Sequence, residues 1–344
     1  MKKLGNTLYV TTPGAYLAKD GEAVAVRIED EVKLRIPVHL LDGIVCLGPS
    51  GASPYLLGYC GEQGVNVSFL TEQGRFLARV QGPVSGNVLL RRAQYRAADA
   101  PERSTGIVRS IVAAKIANGR AVLRRALRDR PAGEGNEHIE SAAARLGALV
   151  PSLSGAPSID VLRGLEGLAA RIYFEAFDSL IVQQREAFSF HGRSRRPPLD
   201  PVNALLSFLY ALLRHDAESA LEGVGLDPAV GFLHTDRPGR PGLALDLMEE
   251  LRAFLCDRLA LSLINLRQVR PEGFLTRETG GVEMDDATRK EVLVAYQKRK
   301  QEELLHPFLR EKAPVGLLLH LQAALLSRYL RGDLDAYPPF LWKG

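Results

Sequence analysis

His234 lies in the stretch GFLHTDRPGRPGLALDLMEELR (231–252), twelve residues ahead of Asp246, with Glu249 and Glu250 just beyond. Pro238, Gly239, Pro241 and Gly242 interrupt any regular element between them, so the stretch reads as strand or turn, then loop, then helix. The imidazole and the acids therefore meet across a loop. Asp246 and Glu249 are three apart and project from nearly one helix face, beside a core stripe of Leu247, Met248, Leu251 and Leu255. Acids in a first helical turn also meet the positive helix end favourably, at about 0.3–1 kcal/mol each, which accounts for the carboxylates but not for the histidine. A core histidine satisfied by a backbone carbonyl is the bland alternative. One imidazole with two carboxylates is a donor set for Mg²⁺ or Mn²⁺ that leaves positions for water and phosphate oxygens. An ion held in this way stabilises charge on the attacking or leaving oxygen of a phosphodiester.

A third carboxylate comes from PSIDVLRGLEGLAARIYFEAFDSLI (157–181). Leu162, Ala169, Ala170 and Tyr173 share the helix face of Glu166, so the acid points into an apolar stripe. Burying an unpaired charge costs several kcal/mol, so Glu166 needs a counter-charge or a metal. Arg163, one turn earlier, offers the ordinary ion pair. Gly164 and Gly167 flank the acid; each lowers helix propensity by about 1 kcal/mol relative to Ala and permits close approach by a ligand or another backbone.

The elements that must position these groups fall into two parts. From residue 7 to about 82, short β-branched and aromatic runs alternate with turn residues, which predicts a small β-rich domain over 1–87 whose strands end at GPVSGN (82–87). One helix interrupts it at SPYLLGYCGEQG (53–64), with Ser53 as cap and Pro54 in the first turn. Beyond residue 88 the period becomes 3.6, predicting a nearly all-helical domain over 88–344 with helices at 104–128, 139–150, 158–190, 200–220, 244–268, 286–312 and 315–331. The stretches 128–138 and 270–285 read as loops, the second with a short hairpin. The fold class is α+β.

The 344 residues are 46% hydrophobic, ample for a buried core. No run is long and apolar enough for a membrane span and no signal-peptide core follows MKKLGNTLYV, which points to the cytoplasm. Cys46, Cys60 and Cys256 are scattered in apolar surroundings, so they read as buried free thiols rather than disulfides or a zinc site. Net charge is only +4, but RRALRDRP (124–131), HGRSRRPP (191–198) and YQKRK (296–300) group the basic residues, and several clusters together favour a polyanionic partner over solvated helix faces. Tyr210 and Tyr296 sit at helical spacing and read either as core or as stacking platforms for splayed bases.

Six ordered stretches resemble a known family: RGLEGLAARIYF (163–174), RSRRPPLDPVNALLSFLYALL (193–213), the 231–252 stretch, DRLALSLINLRQ (257–268), AYQKRK (295–300) and YPPFLWK (337–343). Together they are similar to the CRISPR-associated spacer-acquisition endonuclease/integrase, the Cas1 family, within its type I-C branch. The resemblance spans essentially the whole chain. It implies an N-terminal β domain that dimerises, a C-terminal helical domain carrying the active site, and a complex with the small Cas2 protein. It implies Glu166, His234 and Glu249 as ligands of Mg²⁺ or Mn²⁺, with Asp246 at a neighbouring acidic position of the same catalytic site. Many members carry Asp where this chain has Glu249.

The activity then implied is metal-dependent phosphoryl transfer, in which a 3′-hydroxyl of a short DNA duplex attacks a repeat-array phosphodiester and the fragment is inserted by transesterification. With water as nucleophile, the same site nicks free or branched DNA. His234 is either a ligand or the acid that protonates the leaving oxygen. Arg193, Arg195, Arg196, Lys298, Arg299 and Lys300 are the candidate DNA-phosphate contacts, with Asn203 as a hydrogen-bond donor near the site. Two other readings fit the residues: a stand-alone metal-dependent repair nuclease, and a non-enzymatic DNA-binding scaffold in which Glu166 pairs with Arg163.

Overall fold

The computed structural model describes residues 6–72, 74, 76–80, 82, 88–129 and 136–344, so most of the 82–87 boundary and of the predicted 128–138 loop lies outside the described residues. The chain divides into two compact units, Met1–Gly86 and Asn87–Gly344. A β-rich region precedes a helical one, in agreement with the α+β class.

The first unit contains β1 (Asn6–Val10), β2 (Tyr16–Asp20), β3 (Ala23–Ile28), β4 (Glu31–Pro37), β5 (Leu41–Leu47), β6 (Gly51–Ala52), α1 (Pro54–Glu62), β7 (Asn66–Leu70) and β8 (Phe76–Val80). They form two four-stranded sheets, ordered β1-β5-β7-β8 and β4-β3-β2-β6. The β3–β4 turn places Glu29 and Asp30 at φ 50° and 66°, left-handed values whose twist matches that of the flanking strands. Ser53 caps α1 by accepting the Leu56 N–H, and Pro54 occupies the first turn where no donor is needed. Leu17, Val24, Ile44, Cys46, Leu56 and Cys60 lie in one fully buried core, so two of the thiols are structural.

The second unit is built on α2 (Val88–Asp99), α3 (Pro101–Arg128), α4 (Asn136–Ser154), α5 (Ile159–Glu175) and α6 (Pro201–Gly223). It continues through α7 (Gly242–Glu249), a π-helical turn (Arg252–Asp257), α8 (Arg258–Asn265), α9 (Asp286–Gln301) and α10 (Leu318–Arg331). Two small hairpins are inserted, β9 (Phe274–Thr276) with β10 (Val282–Met284), and β11 (Glu303–Leu305) with β12 (Lys312–Pro314). The 28-residue α3 is about 42 Å long at 1.5 Å per residue and packs against α4, α5, α7 and the π turn. Helix α6 is apolar on nearly every side and is buried accordingly.

Three predicted helices are interrupted for tertiary reasons. The 158–190 helix stops at Glu175; beyond a 3-10 turn at Asp178–Leu180, Asn265 of α8 holds the backbone outside a helix, its Oδ1 accepting Val182 N–H at 2.9 Å and its Nδ2 donating to Leu180 O at 2.9 Å. The 286–312 helix stops at Gln301, where Glu303–Leu305 pairs with Lys312–Pro314 and Pro307 cannot donate to a helix. The 244–268 helix is divided by the π turn, which rotates the side chains beyond it relative to those before it.

Candidate active site

Three elements, α5, the 231–234 loop and α7, bring the predicted acids and imidazole into one region of the helical unit. Gly231 and Gly242 make this possible. A Cβ on Gly231 would lie 2.7 Å from Gly242 C and 2.8 Å from His234 O, so only glycine lets the 231–234 loop lie flat on the start of α7. Across that contact Asp246, with no exposed surface, accepts the N–H groups of Phe232 at 2.6 Å, Leu233 at 2.9 Å and His234 at 2.9 Å. Its Oδ1 also lies 2.7 Å from His234 Nδ1.

Every lone pair that Asp246 points inward is thus used on the loop and the imidazole. The carboxylate fixes the His234 ring with Nδ1 towards Asp246, leaving Nε2 as the free donor atom, the arrangement by which outer carboxylates orient metal-binding or proton-transferring histidines. Neither acid serves a first helical turn: Asp246 holds the loop, while Glu249 stands at the far end of α7 and faces α3 and α5. His234 is satisfied by a carboxylate rather than by a backbone carbonyl.

Ser158 caps α5, and Arg163 on that helix donates from Nε to Leu233 O at 2.8 Å, tying α5 to the histidine loop. The other end of that guanidinium pairs with Asp160 at 2.6 Å. Arg163 is therefore not the partner of Glu166, and the scaffold reading built on that pair loses its premise. The partner is Lys115 of α3, whose ammonium pairs with Glu166 Oε1 and lies 2.7 Å from Glu249 Oε2. Glu249 Oε1 is taken by Arg252 of the π turn at 2.5 Å. The two oxygens of Glu249 are thus held by two different cations, Oε1 by Arg252 and Oε2 by Lys115.

The electrostatics follow from these contacts. Burial pushes the Glu249 carboxyl up, but Arg252, Lys115 and the nearby His234 together pull it down to about 2. Burial alone would weaken the Arg252 guanidinium's hold on its proton, yet Glu249, Tyr210 and Asp257 beside it make that hold firmer. Arg252 stacks 4.1 Å over the Tyr210 ring, and Tyr210 donates to the buried Asp257 at 2.5 Å. The π turn thus delivers Arg252 and Asp257 to the same wall of the site.

Behind this wall, Glu250 points the other way. Its Oε1 accepts the Tyr337 hydroxyl at 2.5 Å and its Oε2 accepts Phe340 N–H at 2.7 Å and Gln322 Nε2 at 2.9 Å. Asn118 of α3 adds Nδ2 bonds to Glu250 O at 2.6 Å and Phe340 O at 2.9 Å, and accepts Trp342 N–H at 2.8 Å. The 337–342 segment is thereby clamped onto the end of α7.

The described residues contain no ready-formed group of three His, Cys, Asp or Glu donors at metal-holding distance. The donor chemistry nevertheless suits a divalent ion. Two carboxylates already share one cation, and the imidazole keeps its Nε2 lone pair.

The remaining predicted residues divide by exposure. Arg195, Arg196 and Lys298 are exposed. Arg193 is half-buried, bonded to Asn203 and Ser194 O and lying 5.2 Å over Tyr210, while Arg299 pairs with Glu302. Two expectations are corrected. Lys300 is 6% exposed and pairs with Asp216 at 2.9 Å, so it belongs to the core rather than to a phosphate-binding face. Asn203 is fully buried, donating to Gly192 O at 2.8 Å and accepting Ser194 N–H at 3.1 Å, so it shapes the 192–194 loop. Tyr210 and Tyr296 are core residues. Nothing approaches Gly164 or Gly167 within 4 Å, so those positions leave open surface on α5 instead of admitting another backbone.

Lys115, Arg252 and the 337–342 clamp were not identified from sequence as parts of the site. A signal for Lys115 existed: Ile111, Val112, Asn118 and Gly119, three and four residues away, are all buried, which puts a lysine on an oily helix face.

The fold and the site define a β-rich unit joined to a helical unit that gathers two carboxylates, a carboxylate-oriented imidazole and their counter-charges. The family model described as CRISPR associated protein Cas1 matches residues 8–298. CRISPR-associated endonucleases Cas1 from Chlorobaculum tepidum and Rhodospirillum rubrum are each 55% identical to the chain, with full coverage of both proteins. The chain belongs to the Cas1 family. In fold it is similar to a Cas1 protein from Thermotoga maritima, with a TM-score of 0.80 at 23% identity over 96% of this chain and 99% of that one. It is likewise similar to a casposase bound to integration product, with a TM-score of 0.82 at 23% identity over 98% of this chain and 94% of that one.

Proposed function

We propose that the protein is the divalent-metal-dependent DNA endonuclease/integrase of CRISPR adaptation, inserting short duplexes into a repeat array by transesterification. The observation that carries this reading is the convergence of Glu166, His234 and Glu249 from three separate elements, with Asp246 spent on orienting the histidine. Glu166, Glu249 Oε2 and His234 Nε2 would hold Mg²⁺ or Mn²⁺. When bound, the ion supplies Lewis-acid stabilisation of phosphoryl-oxygen charge. Glu249 rather than Asp246 is the third ligand, because both Asp246 oxygens are committed to the 232–234 backbone and His234. Arg252 fixes Glu249 by its other oxygen, and Arg195, Arg196 and Lys298 offer exposed charge to a DNA backbone.

The run of motifs from 163 to 343 supports assignment to the type I-C branch, with Cas2 as partner in the cytoplasm. For a homodimer through the β-rich unit, the support is the edge strand β4, which exposes Val32 and Leu34 at 44% each.

The test is strand transfer of a labelled duplex into a supercoiled repeat-bearing plasmid, with Cas2 and Mn²⁺ present. Glu166→Ala, His234→Ala and Glu249→Ala should each abolish transfer while retaining DNA binding. Transfer surviving in all three would return the carboxylates to a structural role, and nicking without incorporation would favour the repair-nuclease reading.

A further inference from the structure

Lys115 has no part in the chemistry proposed for the site, yet its ammonium stands between two of the carboxylates proposed as ligands. It is paired with Glu166 Oε1 and stands 2.7 Å from Glu249 Oε2, the two oxygens best placed to be ligands. We infer that Lys115 is a built-in counter-ion of the metal-free site, which a divalent cation must displace in order to bind. The inference rests on the metal-dependent reading of this site and adds to it a competing residue.

Three observations support it. First, the contacts of Glu249 are divided by oxygen: Arg252 holds Oε1 at 2.5 Å, whereas Oε2 is held by Lys115 at 2.7 Å. The structural anchor of this carboxylate and its exchangeable contact are therefore different atoms, and Lys115 can leave without freeing Glu249 from Arg252. Second, Glu249 is 4% exposed and Glu166 is 24% exposed; without Lys115, Glu249 would keep only Arg252 on its other oxygen and Glu166 would lose the ion pair described for it, in a poorly solvated setting. A resident ammonium supplies that counter-charge. Third, the Lys115 side chain is 18% exposed and borders a small cavity shared with Ala169, Ala170, Tyr173 and Glu249, which gives its flexible stem room to swing towards water. Arg could not play this part as readily, since a planar fork would hold a carboxylate in two aligned bonds.

The experiment is a thermal-unfolding titration of the full chain with MnCl₂ at constant ionic strength, comparing wild type with Lys115→Met and Lys115→Gln. The second variant keeps hydrogen-bonding capacity without charge and serves if the first does not fold. Without metal, the variants should melt below wild type. As Mn²⁺ is added the deficit should close, and the half-saturating Mn²⁺ concentration should fall about ten-fold or more, since a competing cation has been removed. A purely structural ion pair predicts otherwise: the variants would melt lower by the same amount at every Mn²⁺ concentration, with an unchanged midpoint, and that result would overturn the inference alone. A variant that responds to Mn²⁺ where wild type does not would support it. If neither wild type nor variant responds, both the inference and the metal-dependent reading fail.

Discussion

Replacing Glu250 by Gln should change how stability depends on pH, and the buried clamp on the 337–342 segment sets the size of the effect. Glu250 has no exposed surface, and burial pushes its carboxyl up from 4.5 to about 7, even though Phe340 N–H, Tyr337 and Gln322 all favour the charged form. Between those two pH values the folded protein binds this proton and the unfolded chain does not. Stability from this group is therefore fully present below pH 4.5 and is lost as pH rises to about 7. An interval of about 2.5 pH units at 1.36 kcal/mol per unit amounts to about 3 kcal/mol. Glutamine copies the protonated acid: its oxygen can accept from Phe340 and Gln322, and its amide can donate to the Tyr337 oxygen. Glu250→Gln should thus lack the decline that wild type shows between pH 4.5 and about 7, and the difference between the two proteins isolates this residue from every other titrating group. Urea unfolding followed by fluorescence suits the question, because Trp342, the one tryptophan in the chain, sits in the clamped segment itself. Parallel stability curves across that pH range would refute the argument, as would a variant whose relative stability falls with rising pH.

Asp246→Asn keeps one acceptor oxygen for the 232–234 amides but can no longer hold His234 Nδ1–H as a carboxylate does. It should fold with a loss of about 1–3 kcal/mol and weaken Mn²⁺ binding by about 10–100-fold, both readable by thermal unfolding with and without the ion. Undiminished Mn²⁺ affinity would show that Asp246 does not orient the imidazole. Among the basic residues, Arg195→Ala with Arg196→Ala should lower the salt dependence of DNA affinity by a slope of about 0.9 for each phosphate that these side chains neutralise in the wild type. Lys300→Ala should leave that slope alone and lower the melting temperature instead, because it strands Asp216 beside Tyr296.

Local signals in the sequence were sufficient wherever the structure depends on local chemistry. Ser53 followed by Pro54 starts a helix, the change from alternating to 3.6 period marks the passage from strands to helices, and the glycines and prolines of 238–242 form the loop between His234 and Asp246. The acid on the oily face of α5 was also legible, but not its counter-charge. Arg163 was the nearest candidate in sequence, whereas the partner, Lys115, is 51 residues away on another helix. The same limit applies to the ends of α5 and α7. Beyond the first, Asn265 from another helix holds the 180–182 backbone, and no residue pattern distinguishes the six π-helical residues from an ordinary turn. The exposed Arg195 and the buried Lys300 look alike as letters in a basic run, and only packing separates them.

The clamp at residues 337–342 also has a consequence for the order in which the protein is made. Glu250 meets Tyr337 across 87 residues and Phe340 across 90, so the ribosome completes Glu166, His234 and Glu249 long before the groups that fasten the end of α7 emerge. Until then Glu250 and Asn118 lack protein partners from that segment, and the carboxylate next to Glu250 in the chain is held from one side only. A nascent chain halted after α10 would carry every candidate ligand without the fastening behind them. Assembly of the site is in this way deferred until the 337–342 segment has been made.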